Sequence, residues 1–490
     1  MKIVKILCVW ALLCPLVCFA QKKDYLYYVR EHYDHLIGHG KDTYGARSTR
    51  MLASVIDTRD MSVPKGNVPP TEGIRGSDRA VGGSNFYHDA EMIRIGKELT
   101  RLTGDKKYSE SISQYAADFL KYAQNPTTGL LGWGEHIYYN FYGDTVMEEE
   151  LAKNSPYKAH EFIETIPVWS FLWEIDSAAT HRAIAGVRYH FRSGVTQSFL
   201  YNRHARWHKA DKPEYRGLEQ YQDGGQAWIK HSGLQCYSFS FLYSQTGDKQ
   251  WKRWAEGAGN LFWNYRNPET DLTISCIDDP RPSGVNSSLP GSSLLAYYLL
   301  KSSALHPEFA HLKDRAERIL QSVEKYSWDE KRKGYYSEID LNGKPTDANL
   351  IKVINTGYGA ADILLFGRIA AYFYKTTGNP VYRNMVKKAA DLVRVQTWPD
   401  RFVMNSLAGS IHFLLDAAEV LDDRQLVTNA RTLADTGVKK LWSGKLFVRQ
   451  PNDPYYESKL GINDFASGLL RLHFLEMNDA ANAGLVIWSF

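Results

Sequence analysis

The sequence predicts an all-α fold, an (α/α)6 or (α/α)7 barrel in which antiparallel helix hairpins close into a ring. One short device recurs three times. Thr103-Gly104-Asp105 precedes Tyr108, Thr246-Gly247-Asp248 precedes Trp251, and Thr377-Gly378-Asn379-Pro380 precedes Tyr382. Each time an aromatic-rich helical pattern enters the turn and an Ala-rich one leaves it. Glycine supplies the left-handed stop, and Asp or Asn supports the next start. Three copies of a helix-turn-helix unit are a repeat signal. The second observation is that apolar residues recur at helical spacing over most of the chain. The third is that strand-like alternation is sparse, clearest at 445–450 as a short hairpin. Aromatic helices suit a ring that must be lined and plugged, and no polar end-capping repeat marks an open solenoid.

In chain order, a first helix is expected over 24–39, then an irregular stretch over 41–70. Gly82-Gly-Ser-Asn-Phe-Tyr-His-Asp89 leads into a helix over 90–102, with Met92, Ile93, Ile95, Leu99 and Leu102 on its apolar side. Another starts near Tyr108. Further helices are expected over 163–173, 177–192, 225–244, 250–264, 292–303, 310–326, 358–375, 381–395, 405–421, 424–441 and 464–475.

Composition narrows the class. The 490 residues are 44% hydrophobic and 13% aromatic, with 31 tyrosines, which leans toward carbohydrate contact. A formal net charge of +4 and the lack of a Lys/Arg block argue against nucleic acid. Residues 1–20 read as a signal peptide, with Lys2 and Lys5 before an apolar run and Cys18-Phe-Ala20 as the cleavage site. Export to the periplasm or beyond follows, with 21–490 as one catalytic domain and no membrane span. Of five cysteines, Cys236 and Cys276 remain outside the peptide, and their spacing suits no zinc knuckle.

Polar groups cluster at expected helix starts and loops. The densest stretch runs Leu131-Gly-Trp-Gly-Glu-His-Ile-Tyr-Tyr-Asn-Phe-Tyr-Gly-Asp144. Flat aromatic faces beside a few polar groups are what a sugar needs. Asn85, His88, Trp133, Glu135, His136, Tyr139, His160 and Glu161 are therefore the candidate substrate-binding residues. A further cluster is Asn202-Arg203-His204, with His208, His231 and Tyr237 beyond. Simpler roles compete: His88 and Asp89 as a helix cap, His160-Glu161 as a helix start, His231 as a packed core histidine, and Arg203 in an exposed ion pair.

Two chemistries fit these residues. In β-elimination the uronate carboxylate is neutralised by Asn, His or Arg, a Tyr or His takes the C5 proton, and a Tyr or water protonates the leaving oxygen. Asn202, Arg203, His204, His231 and Tyr237 form the candidate catalytic set. In hydrolysis two carboxylates flank the bond, and Glu135, Glu161, Asp223 and Asp464 are the candidates. A metal-free site without cofactor is the expectation. A divalent ion held by His88, Glu135, His136 and His160 is the rival, although no tight metal motif occurs. A non-catalytic glycan-binding protein is the third reading.

Several segments, in this order, resemble exported bacterial pectate-lyase-like proteins with (α/α) barrels. They are Tyr44-Gly-Ala-Arg-Ser-Thr, Asn85-Phe-Tyr-His-Asp, Gly129-Leu-Leu-Gly-Trp-Gly-Glu-His, His160-Glu161, Phe199-Leu-Tyr-Asn-Arg-His204 and Asp464-Phe-Ala-Ser-Gly-Leu-Leu. The resemblance implies a polysaccharide lyase acting on alginate, glucuronan or pectate, with a neutralising Asn/His/Arg set beside a catalytic Tyr. It also implies an acidic polysaccharide or oligosaccharide as partner, and a His/Glu metal site as an option.

Overall fold

Seven helix pairs form a ring in this computed structural model, which describes residues 24–148, 159–163, 168–191, 199–207, 227–277, 284–354, 362–396, 398 and 404–479. The helices are α1 (Tyr25–His39), α2 (Glu91–Thr103), α3 (Lys107–Tyr122), α4 (Trp169–Ile175), α5 (Ser177–Gly186), α6 (Ile229–Thr246), α7 (Lys249–Asn264), α8 (Leu289–Leu305), α9 (His311–Ser327), α10 (Asp362–Thr377), α11 (Pro380–Arg394), α12 (Met404–Leu421), α13 (Arg424–Leu441) and α14 (Ile462–Glu476). Helices α6, α8, α10, α12 and α14 pack side by side along the inner wall, and α14 closes onto α2. Short α4 completes the wall. Lys97 of α2 lies over its Phe171, and its Trp169 and Trp173 meet Ser238 and Phe241 of α6. Each inner helix carries an outer partner, with α1 pairing with α14.

Position in the ring explains the sequence patterns. Inner helices α6, α8 and α12 are buried on nearly every side, so they are rich in Ser, Gly, Ala and aromatics. Outer helices such as α7, α9 and α11 bury one stripe and expose the rest. The recurring turn works as its residues predict. Gly104, Gly247 and Gly378 stop their helices at φ of 75°, 67° and 70°. Asp105, Asp248 and Asn379 then accept from the backbone N–H groups of Lys107, Gln250 and Val381 at 2.9, 2.9 and 3.1 Å.

Close packing sets a test of the wall between α6 and α8. A Cβ at Gly233 would lie 3.0 Å from the Leu295 Cα and 3.1 Å from the Tyr298 Cβ. Both neighbours belong to a rigid helix. Gly233→Ala is expected to cost about 1–3 kcal/mol, read as a lower midpoint in urea unfolding.

All long connections fall at one end of the ring, where the inner helices begin. Small strands knit that end together: β1 (Val55–Asp57), β2 (Gly83–Ser84), β3 (Ile137–Asn140), β4 (Thr145–Glu148), β5 (Ala159–Glu161) and β6 (His204–Arg206). They pair antiparallel as β2–β3–β4 and as β5–β6, while β1 pairs with the strand Tyr455–Glu457 near the other end of the chain. Sequence expectations differ here. His160-Glu161 lies on a strand and not at a helix start. The expected hairpin at 445–450 is a turn closed by a single Trp442–Phe447 bridge. Helix α4 starts later than expected, at Trp169. Cys236 and Cys276 are both buried and unpaired with each other. His208, Asp223 and residues 1–20 lie outside the described residues.

Candidate functional site

A three-residue strand pair builds the centre of the site. In the β5–β6 ladder Glu161 stands opposite His204 and His160 opposite Ala205. Side chains of directly opposed residues share a face, so Glu161 and His204 point the same way and His160 the other. His136, at the edge of β3, reaches the same carboxylate: its Nε2 is 2.7 Å from the Glu161 Oε2, and the His204 Nε2 is 3.6 Å from that oxygen. The ligand atoms of His136, Glu161 and His204 lie within 4.8 Å of one another, and all three residues are buried.

Charge and hydrogen bonding tie His136 to Glu161. Burial alone would lower the His136 pKa, but the hydrogen bond to Glu161 and the charges of Glu161, Glu135 and Asp78 outweigh it and raise it. Burial would raise Glu161, yet its bonds to His136 and His204 hold it well below the usual carboxylate range. Asp78 stands behind His136, with Oδ1 3.8 Å from Nδ1, and is itself gripped by Arg75 at 2.8 Å.

Around this centre the rim is cationic and partly open. Arg203 lies 3.6 Å from the Glu161 Oε1, with 30% of its side chain exposed. Arg75 and Lys459 flank Glu135 at 3.0 and 3.7 Å. Lys459 also lies over the half-buried ring of Tyr87. Asn85 donates to the Gly134 carbonyl at 2.7 Å and meets the His88 Nε2 at 3.3 Å, which pins His88 beneath this rim. Burial and the nearby Lys459 charge hold the His88 pKa well below normal, so its imidazole is neutral.

Other residues singled out from sequence sit elsewhere. His160 turns inward, its Nδ1 2.7 Å from the His190 Nε2. His190 must donate its Nδ1–H to the Asn202 carbonyl at 2.9 Å, so its Nε2 accepts from His160. Burial keeps both rings neutral, His160 at a pKa of about 3. Asn202 supports His204 by accepting its backbone N–H at 2.9 Å. His231 packs against Phe162, one layer below. Tyr237 is deeper still, against Tyr298 and Lys301, and its phenol is pushed up to about 12 by burial. Trp133 is sandwiched between Phe119 and Trp169, and Tyr139 is fully buried. Neither offers an open face to a sugar.

The ligand set expected from sequence therefore changes. Of His88, Glu135, His136 and His160, only His136 joins the cluster. Glu161 and His204 replace the rest, because strand alternation turns Glu161 out and His160 in. Asp78, Arg75, Lys459 and His190 were missed. Arg75-Gly-Ser-Asp78 forms a 3-10 turn in a stretch with no periodic signal, and Lys459 comes from far along the chain. Asp89 is not a helix cap. It is a buried acceptor for the Tyr115 hydroxyl at 2.8 Å and the Asn463 amide at 3.2 Å.

Asp89 carries a pH prediction. Burial pushes its carboxyl up to about 7, against hydrogen bonds from Tyr115, Ser458, Tyr456 and Asn463. The folded state favours the neutral acid, so its stabilising effect is complete below about pH 4 and fades as pH rises to about 7. Asp89→Asn is expected to reduce the fall in urea midpoint across that window. An unchanged slope would remove Asp89 as its source.

Comparison with known proteins finds partial likenesses. A family described as periplasmic pectate lyase matches residues 70–281. The likeness to that family is confined to that span. Asp78, His136, Glu161, Arg203 and His204 all fall inside it. A pectate disaccharide-lyase of Dickeya dadantii (strain 3937) is 24% identical over 217 residues, which is 40% of this chain and 38% of that relative. The chain thus matches well under half of that relative's length. Among solved structures, a D-mannose isomerase aligns with a TM-score of 0.48 at 11% identity, covering 74% of this chain and 98% of its own. A cellobiose 2-epimerase from Bacillus thermoamylovorans B4167 aligns at 0.49 and 13%, covering 74% and 95%. No helix among the described residues is long and apolar enough to cross a membrane.

Proposed function

We propose that this chain is an exported lyase that cleaves a pectate-type polyuronate by β-elimination, with a divalent cation held by His136, Glu161 and His204. The carrying observation is that buried triad with the half-open Arg203 at its edge, inside the segment that matches the periplasmic pectate lyase family. Two imidazoles and a carboxylate are a donor set for a divalent transition metal. Three protein ligands leave room for a substrate oxygen, as catalytic sites do. When bound, the cation draws charge from the uronate carboxylate and makes the C5 proton more acidic.

The chain's own residues do the rest. Asp78 sets its negative charge 3.8 Å behind the His136 Nδ1, and Arg75 holds Asp78. Asn202 fixes the backbone at His204. Arg203 has a buried Nε with no hydrogen-bond partner among the described residues, while part of its side chain remains open. It is our assignment for the protein group that meets the carboxylate and C5 side of the sugar. Arg75 and Lys459 extend the positive rim over which an acidic chain is drawn. In the reaction water at the open Arg203 edge takes the C5 proton, the C5–H electron pair forms C4=C5, the C4–O bond breaks, and the leaving oxygen takes a proton from water.

The full chain should be incubated with polygalacturonate, alginate and glucuronan. Ultraviolet absorbance of the C4=C5 product is expected on polygalacturonate, lost with EDTA and restored by a divalent ion. New reducing ends without that absorbance would make it a hydrolase. Binding without either would make it a glycan-binding protein.

A further inference from the structure

Below the rim, the barrel axis holds a second polar group that the elimination chemistry does not use. Glu91 and Arg94 come from α2, Arg368 from α10, His412 and Asp416 from α12, and Asp464, Ser467 and Arg471 from α14. Asp416 is fully buried and bridges two guanidinium groups, the Arg368 Nε at 3.0 Å and the Arg471 Nη2 at 2.6 Å. Arg471 also donates to the His412 carbonyl at 3.2 Å. Arg94 reaches across to Ser467 at 3.4 Å. Burial and the charges of Arg471 and Arg368 pull Arg94 down to about 10, with Glu91 opposing them. Four inner helices therefore bring their charges together below the rim.

That volume has an unmet hydrogen-bonding need. Glu91 is only 8% exposed, and its Oε2 is buried with no hydrogen-bond partner among the described residues. An acceptor left so is costly unless a donor arrives. Asp464 stays partly open although inner-wall groups surround it, and burial and the Glu91 charge push its carboxyl up to about 7. Guanidinium groups beside carboxylates that want hydroxyl donors are the complement of a sugar acid. The place also fits. Glu91 opens α2 just after His88, and Asp464 lies in the first turn of α14, shortly after Lys459. Arg94 is three residues further along α2, roughly 4.5 Å deeper.

We propose that Glu91, Arg94 and Asp464 form an axial subsite for one terminal uronate residue, Arg94 taking its carboxylate and the two acids its hydroxyls. Its role as a stop for the polymer end, so that the rim cuts short pieces from that end, rests on the lyase reading. The binding itself does not.

D-galacturonate and D-galactose are titrated calorimetrically into the full chain. Saturable binding of galacturonate alone is expected. Glu91→Gln and Arg94→Gln should each weaken it about tenfold or more, and Lys387→Ala, on the exposed face of outer helix α11, should leave it intact. No saturable binding, equal binding of galactose, or affinities untouched by both axial variants would overturn the subsite. Should the variants fail to fold, hydrogen exchange on the unmutated chain decides. Galacturonate must protect the first turns of α2 and α14, and protection elsewhere overturns the assignment. If polygalacturonate yields no unsaturated product while galacturonate still binds here, the lyase reading fails and the axial subsite stands.

Discussion

Glu161→Ala is expected to lower kcat/KM on polygalacturonate by about 1000-fold, equivalent to roughly 4 kcal/mol of lost transition-state stabilisation. Glu161 is the only acid of the ligand cluster, and both His136 and His204 converge on its Oε2. Without it two imidazoles remain, too few to hold a divalent ion firmly and with no anionic charge to offset it. Metal content should fall together with rate, so both are measured on the same preparation. A variant that keeps its metal and loses its rate would move Glu161 from ligand to proton carrier. One that keeps its rate would remove the cluster from the reaction.

Glu457→Ala is expected to cost about 3–5 kcal/mol of stability. Glu457 is 1% exposed and accepts two bonds from Arg79, at 2.7 and 2.8 Å, and one from Arg449 at 2.7 Å. Arg79 precedes β2 and Arg449 precedes the strand Tyr455–Glu457, so the carboxylate staples the two ends of the chain across the rim. Removing it leaves two guanidinium groups buried, with the Pro69 and Val68 carbonyls, Asp453 and the Tyr455 ring as partners among the described residues. Glu457→Gln keeps an acceptor and should lose less. Urea midpoints of the two variants give the comparison. A near-wild-type midpoint for the alanine variant would show that the rim is held by other contacts.

Loop position explains which site residues were readable. Arg203 and His204 were visible because a run of amide, guanidinium and imidazole groups is rare outside functional loops. His136 and Glu161 were visible for the same reason, as substrate contacts, with His136 also in the rival metal set and Glu161 among the carboxylates for hydrolysis. The aromatic wealth of 131–144 misled, because Trp133 and Tyr139 fill the core under the rim. Sequence shows that an aromatic is present but not whether its face is covered. Asp78, Arg75 and Lys459 could not be found, since each acts on a partner remote in the chain and stands in no motif. His231 and Tyr237 share a helix but lie at different depths along the inner wall, so they do not meet the triad together.

The helical hairpins and the turn chemistry were set by the chain itself, while the choice between six and seven hairpins was left to the tertiary structure. A Gly at a left-handed stop and a repeating apolar stripe act within a few residues, and local rules suffice to read them. What the tertiary structure alone decided is which polar atoms meet. A strand of three residues is too short to show a period, and its facing follows only from the register of β5 against β6. That register turns Glu161 toward His136 and His204 and sends His160 into the core. Closing the ring likewise brings Glu91 beside Asp464, from opposite ends of the sequence.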